Sequence, residues 1–204
     1  MRKIFNHLKK NDSKLAKILE ADPNCIFLKN KKLTNNQHFL RLCGEIVGQQ
    51  LSVKAARSIW NKFMKGVNSN KKFIEKIESI KIEDHKLHGL SRNKLTFLKE
   101  LTFKYKNKQI NFSKFYSMEN EQIINELIKI KGIGRWTAEM FLIFSLGRID
   151  VFSLQDLGLR KATIKLYKLK SDDDNKILKI SQKWEPYRSV VSWYLWRALD
   201  KKLI

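Results

Sequence analysis

Cysteine is almost absent from the chain: among 204 residues only Cys25 and Cys43 carry a thiol. Two thiols cannot supply the four thiolates of an iron–sulfur cluster. Nor do they provide the disulfide framework that holds small secreted domains together. Proline is as scarce, at Pro23 and Pro186 alone, so little interrupts a helical chain. Acidic residues are few, with 20 Asp and Glu against 42 Lys and Arg and a formal net charge of +22. No stretch approaches the ~18 consecutive apolar residues of a membrane-spanning helix. The first twelve residues are polar and charged, without the apolar centre of a secretory leader. The reading is therefore an intracellular protein with no membrane partner, in the cytoplasm or nucleoid, or in the nucleus of a eukaryote. Finally, His7, His38, His85 and His88 stand in no ligand spacing with cysteine or carboxylate, which argues against catalytic zinc.

What is present suits a folded, soluble chain: 43% hydrophobic and 30% charged. Its length allows one compact domain or two small lobes. The positive excess attracts polyanions, of which a nucleic-acid backbone is the commonest. Apolar residues recur at three- and four-residue spacing, which predicts an all-helical fold. Asp12-Ser13 is read as the cap of a helix reaching Ala21, Asp22-Pro23 as the opening of another turn, and Lys29-Asn30-Lys31-Lys32 as a solvated loop. After His38, read as a surface or capping residue, two apolar stripes follow. One holds Phe39, Leu42, Ile46 and Val47, the other Ala55, Ala56, Ile59, Trp60 and Phe63. They flank a corner at Gly48-Gln49-Gln50-Leu51, with Ser52 as the next cap. Flat amides beside an apolar side chain at such a corner suit insertion into a DNA groove. Asp172-Asp173-Asp174 is read as charge complementing a helix start rather than as a metal site.

The chain is organised around residues 127–156. A helix carrying Leu127, Ile128 and Ile130 stops at Gly132-Ile133-Gly134, and a second begins with Arg135, Trp136 and Thr137. Glycine tolerates positive φ and lets another backbone come close. Amides near Gly132, Gly134 and Thr137 then face the start of a helix, where the dipole favours a phosphate. Lys129 and Lys131 flank this hairpin as further phosphate contacts. Beyond it, Asp150 and Asp156 bracket the loop Val151-Phe152-Ser153-Leu154-Gln155.

The hairpin followed by this aspartate loop, together with G-Q-Q-L-S at 48–52, G-L-S-x-x-K at 89–94, and W-x-P-Y-R-S at 184–189 followed by W-x-x-W, resembles the HhH-GPD superfamily of DNA glycosylases. Within it, the string is most similar to the alkylbase branch, the DNA-3-methyladenine glycosylase II type. The likeness runs from about residue 36 to residue 200. It departs at Ser153-Leu154-Gln155, where the family carries a loop proline. It also corresponds to a compact form, without the N-terminal β-rich domain of some bacterial members.

The resemblance implies an all-α, two-lobed HhH-GPD fold with the active-site cleft between lobes. One glycosylase domain covers 1–204, with lobe A at about 36–146 and lobe B at about 1–35 plus 147–204. It implies a monomeric, monofunctional enzyme of base excision repair that hydrolyses the N-glycosidic bond of flipped alkylated purines in double-stranded damaged DNA. Such a bond is out of reach inside a duplex, and its cleavage develops oxocarbenium character that one carboxylate can stabilise while positioning water. By position that carboxylate is Asp156, and Asp150 ties the loop by hydrogen bonds. A cationic methylated purine stacks well on aromatic faces; Trp136 and Trp196, then Tyr187 and Trp193, are the base-pocket candidates. Gln50 is the candidate DNA wedge, with Leu51 beside it and Gln49 next in order. Gly132, Gly134 and Thr137 would hold a DNA phosphate. The carbonyls of Ile128, Ile130 and Ile133 would hold a structural Na+ or K+, with no cofactor for catalysis and no iron–sulfur cluster. Bifunctional relatives carry a Schiff-base lysine where this chain has Trp136. Two rivals remain at this point. One is a glycosylase for a mismatched, deaminated or oxidised base. The other is a non-catalytic hairpin DNA-binding module, against which Asp156 speaks because a carboxylate facing DNA repels phosphate.

Overall fold

In a computed structural model that describes residues 2–21, 25 and 32–204, every regular element is helical among the described residues. The turn read at Asp22-Pro23 and the loop at Lys29-Asn30-Lys31 lie outside them. The chain divides into two compact units, one of Leu33–Phe141 and one of Met1–Lys32 with Leu142–Ile204.

In the unit Leu33–Phe141 the helices begin at polar caps. Numbering them in chain order, with α1 (Arg2–Asn11) and α2 (Ala16–Glu20) lying in the other unit, α3 (Asn35–Gly48) opens with a reciprocal capping box between Thr34 and Gln37. Helix α4 (Val53–Met64) is capped by Ser52, α5 (Asn70–Ser79) by Ser69, and α6 (Arg92–Lys106) by Ser91. Each hydroxyl satisfies a backbone N–H that the helix itself leaves unpaired. Helices α4 and α6 pack on α3. Their core is aromatic: Phe39 stacks on Tyr105 at 4.2 Å and meets Phe73 edge-on at 5.7 Å, while Phe112 lies 5.5 Å from Phe141. The lysine of G-L-S-x-x-K has a structural use here. Lys94 Nζ donates to the Val47 carbonyl at 2.8 Å, closing the C-terminal end of α3, and burial lowers its pKa. Then α7 (Asn120–Leu127) and α8 (Arg135–Met140) pair across the glycine turn.

His38 is a correction: the sequence suggests a surface or capping residue, yet it is 0% exposed. Its Nε2 lies 3.0 Å from the Tyr116 hydroxyl, and its ring lies among Phe112, Tyr116 and Phe141. Neighbours about 75 to 100 residues away in sequence decide this burial, so α3 alone does not reveal it. Desolvation first, and the Arg41 charge second, push its pKa down from 6.5 to about 4. The unfolded chain thus takes up a proton before the folded one does. Stability is full above pH 6.5 and falls as the pH drops from there through 4, by up to about 3 kcal/mol. Urea denaturation of the parent and of His38→Phe across that range is expected to give a steeper pH slope for the parent.

The other unit starts with α1 (Arg2–Asn11), unforeseen because only three apolar residues, Ile4, Phe5 and Leu8, form its inner face within a polar, basic stretch. The element predicted from Asp12 to Ala21 is instead a 3-10 turn (Ser13–Leu15) capped by Asp12, followed by α2 (Ala16–Glu20). Asp12 is buried and accepts from the Trp184 indole at 3.1 Å and from the Tyr167 hydroxyl. Helices α9 (Leu157–Tyr167), α10 (Asp174–Gln182) and α11 (Arg188–Asp200) complete the unit, with α11 packed on α9 and α2. The acidic triplet belongs to the start of α10. Asp173 caps it, while Asp172 and Asp174 pair with Arg160 of α9 at 2.6 and 2.7 Å. Among the described residues no helix is long and apolar enough to cross a membrane.

Candidate active site

The hairpin is built from a glycine that nothing else can replace. Gly132 has φ +87, and a Cβ placed on it would lie 2.1 Å from the ring of Phe97 on α6. The turn therefore lies flat against an aromatic ring. Gly134 is different: it has ordinary φ, caps α8, and has nothing within 4 Å of a Cβ. Open space there lets an external group approach the first N–H groups of α8, which lack helical partners. Arg135 fastens the two arms. It donates to Glu121 of α7 at 3.0 Å through one guanidinium nitrogen and to Glu139 of α8 at 2.9 Å through Nε. The Glu121 hydrogen bond raises the Arg135 pKa, and Arg135 in turn lowers that of Glu121. Lys129 pairs with Glu126 at 2.7 Å, and the Lys131 amide donates to Glu100 at 3.1 Å. Ile128 is the C-cap of α7, and the Ile130 carbonyl accepts from the Ile133 amide at 3.0 Å.

The corner after α3 places its three polar and apolar residues differently. Gln50 is exposed, in the left-handed region at φ +59, and Leu51 is 38% exposed. Gln49 turns inward, donating from Nε2 to the Gly132 carbonyl at 2.8 Å and to Thr137 Oγ1 at 3.3 Å. This corrects the wedge expectation for Gln49, whose amide is committed to the hairpin. Trp136, half-buried, lines a groove of about 410 Å³ with Trp60, Leu51 and Val53.

In the other unit, the loop before Asp156 lacks the family's proline and is held from a distance. The Val151 amide donates to Ser189 Oγ at 2.9 Å, the Ser189 amide donates to the Ile149 carbonyl at 3.0 Å, and Ser153 is buried. Asp150 accepts from Arg188 Nε at 2.7 Å, from its amide at 3.1 Å and from its terminal nitrogen at 2.9 Å. The loop thus delivers Asp156 as the N-cap of α9, 9% exposed. One oxygen, Oδ1, accepts from the Leu159 amide at 2.8 Å and from the Trp196 indole N–H at 2.9 Å. Trp196 stacks on Phe144 at 5.5 Å, in a π turn (Phe141–Ser145) that extends α8; such turns recur at functional sites. Tyr187 is half-buried at the start of α11, edge-on to His7 at 5.2 Å. Trp193 is a correction: at 8% exposure it packs edge-on to Tyr194 at 4.9 Å under Arg197. Three residues along a helix rotate the side chain by about 60°, enough to separate it from Trp196.

The family model for HhH-GPD superfamily base excision DNA repair proteins matches residues 43–186. This chain belongs to the HhH-GPD superfamily. DNA-3-methyladenine glycosylase 1 of Schizosaccharomyces pombe is 35% identical over 83% of this HhH-GPD chain and 75% of its own. The DNA-3-methyladenine glycosylase of Saccharomyces cerevisiae is 30% identical over 94% and 77%. The solved S. pombe Mag1 complex with abasic DNA superposes with a TM-score of 0.81 at 30% identity, covering 96% of each chain.

Three HhH-GPD side chains here gave no sequence signal: Phe97 under Gly132, Phe144 against Trp196, and the inward turn of Gln49. Gly158 carries a direct test. A Cβ there would lie 3.0 Å from Asp156 Oδ1 and 3.1 Å from the Trp196 ring. Gly158→Ala is expected to leave the melting temperature close to that of the parent, since the helix preference of alanine offsets a weakened Asp156 cap. By displacing the carboxylate it should also slow turnover roughly 10-fold or more; thermal melts and a single-turnover assay check both arms.

Proposed function

We propose that this protein is a monofunctional DNA glycosylase, of the 3-methyladenine glycosylase II type, that releases alkylated purines from double-stranded DNA as a monomer. The observation that carries this reading is the single carboxylate of Asp156, fixed through one oxygen by the Leu159 and Trp196 N–H groups. A carboxylate oriented in this way stabilises positive charge developing on the sugar and can position the attacking water. A methylated purine is already cationic and leaves readily, so no strong general acid is required. Its charge favours stacking on aromatic faces, for which Trp136, Trp196 and Tyr187 are the candidates, while Trp193 is assigned to packing.

At the hairpin, the α8 N–H groups behind the open space at Gly134 would take one DNA phosphate. The Ile128, Ile130 and Ile133 carbonyls suit a structural Na+ or K+. They are hard, uncharged oxygen donors, and Ile128 ends α7, where carbonyls lose their helical partners. The ion would add positive charge beside the phosphate. Gln50 and Leu51, exposed at the corner, are the candidates to fill the space of the extruded nucleotide.

Trp136 stands where a Schiff-base lysine would be needed for strand cleavage and offers no amine. Incubation with methylated duplex DNA, followed by gels run with and without alkali, tests this point. Breaks that appear only after alkali support a glycosylase without lyase activity; breaks formed without alkali would refute it.

A further inference from the structure

The corner and the hairpin are joined by a side chain whose role neither element explains alone. Gln49 ends α3, its amide donating to the Glu45 carbonyl at 3.1 Å, and the next two residues are the exposed Gln50 and Leu51. Its side chain crosses to residues 83 and 88 positions later, the Gly132 carbonyl at 2.8 Å and the buried Thr137 hydroxyl at 3.3 Å. Both acceptors lie in the hairpin, on either side of Gly134. The Gly132 backbone is itself pressed on Phe97 and has no room to give. We propose that Gln49 is a positioning residue that locks the wedge corner to the phosphate-holding hairpin, so that gripping the backbone and displacing the base act as one rigid step. This rests on the glycosylase reading for its biological purpose.

The chemistry fits such a tie. Pushing a paired base out of the stack costs a few kcal/mol, and a corner with one residue at positive φ would bend under that load unless braced. A neutral amide supplies two donors without placing charge beside a phosphate. Glutamate at 49 has the same length but would set a carboxylate against the Gly132 carbonyl; methionine keeps the volume and loses both donors.

The test needs no bond cleavage, so it stands apart from the glycosylase reading. Gln49→Met and the parent are saturated onto a duplex carrying 2-aminopurine opposite thymine, and the fluorescence of the unstacked base is compared. Loss of two hydrogen bonds is expected to reduce the unstacked population about 10-fold, with the melting temperature lower by only a few degrees. A second duplex places the 2-aminopurine opposite an abasic site, where no pairing resists extrusion; there the variant is expected to recover most of the parental signal. Equal signals for the two proteins on the paired duplex, or an equal deficit of the variant on both duplexes, would overturn the proposal. Failure of the parent to release methylpurines in the strand-break assay would instead count against the glycosylase reading and leave this comparison to decide the tie.

Discussion

Gly132→Ala is expected to destabilise the protein by about 2–6 kcal/mol and to abolish tight DNA binding. Two separate costs combine. An L-residue at φ +87 is strained by about 1–3 kcal/mol. A methyl carbon 2.1 Å from the Phe97 ring must also push that ring or the turn away, an overpacking cost of about 1–3 kcal/mol. For a chain of this length the melting temperature should fall on the order of 10 °C. The displaced turn also carries the carbonyl that Gln49 binds and leads into the N–H groups of α8, so phosphate capture should fail with it. The two costs can be separated. Gly132→Ala combined with Phe97→Ala removes the clash and leaves the backbone strain, so the double variant should lose less than the sum of the single losses. Strict additivity, measured by thermal melts, would show that Phe97 is not what constrains the turn.

Asp156→Asn is expected to lower base release by roughly 1000-fold, in line with removing a preorganised group aimed at developing charge. Asparagine keeps an acceptor oxygen for Leu159 N–H and the Trp196 indole, so the cap of α9 and the fold should survive. The negative charge disappears, and with it a repulsion between protein and phosphate. DNA affinity should therefore stay the same or increase, most clearly at low salt. Fluorescence anisotropy at two salt concentrations, beside a single-turnover rate, separates these arms. Weakened binding in parallel with lost release would mean that the variant has damaged the fold.

The parts of this architecture that were legible in the sequence are the local ones. The helix start at Ser52 follows from a hydroxyl placed before an amphipathic run, and the hairpin follows from two glycines between apolar turns; the caps at Thr34, Ser69 and Ser91, set ahead of polar first turns, emerge only in the structure. What depended on distant partners was not legible. His38 is buried by Tyr116 and Phe141, so its own helix reads as exposed at that point. The loop before Asp156 is under-determined without the family's proline until Ser189 and Arg188, 38 residues beyond their partners Val151 and Asp150, are in place. Trp193 and Trp196 share a helix and a residue type; only the packing of Tyr194, Arg197 and Asp156 tells them apart. Gln49, Gln50 and Leu51 look equivalent as a corner, and the hairpin behind them withdraws the first from the surface.

The central claim is that one carboxylate, Asp156, drives hydrolysis of an alkylated purine from duplex DNA. Its most direct measurement is chromatographic identification of free bases released from duplex DNA treated with a methylating agent, with the parent and Asp156→Asn assayed side by side. Methylpurines in the parent reaction, and almost none with the variant, is the expected result. Equal release by both proteins, or tight salt-sensitive binding by the parent without any free methylpurine, would contradict it.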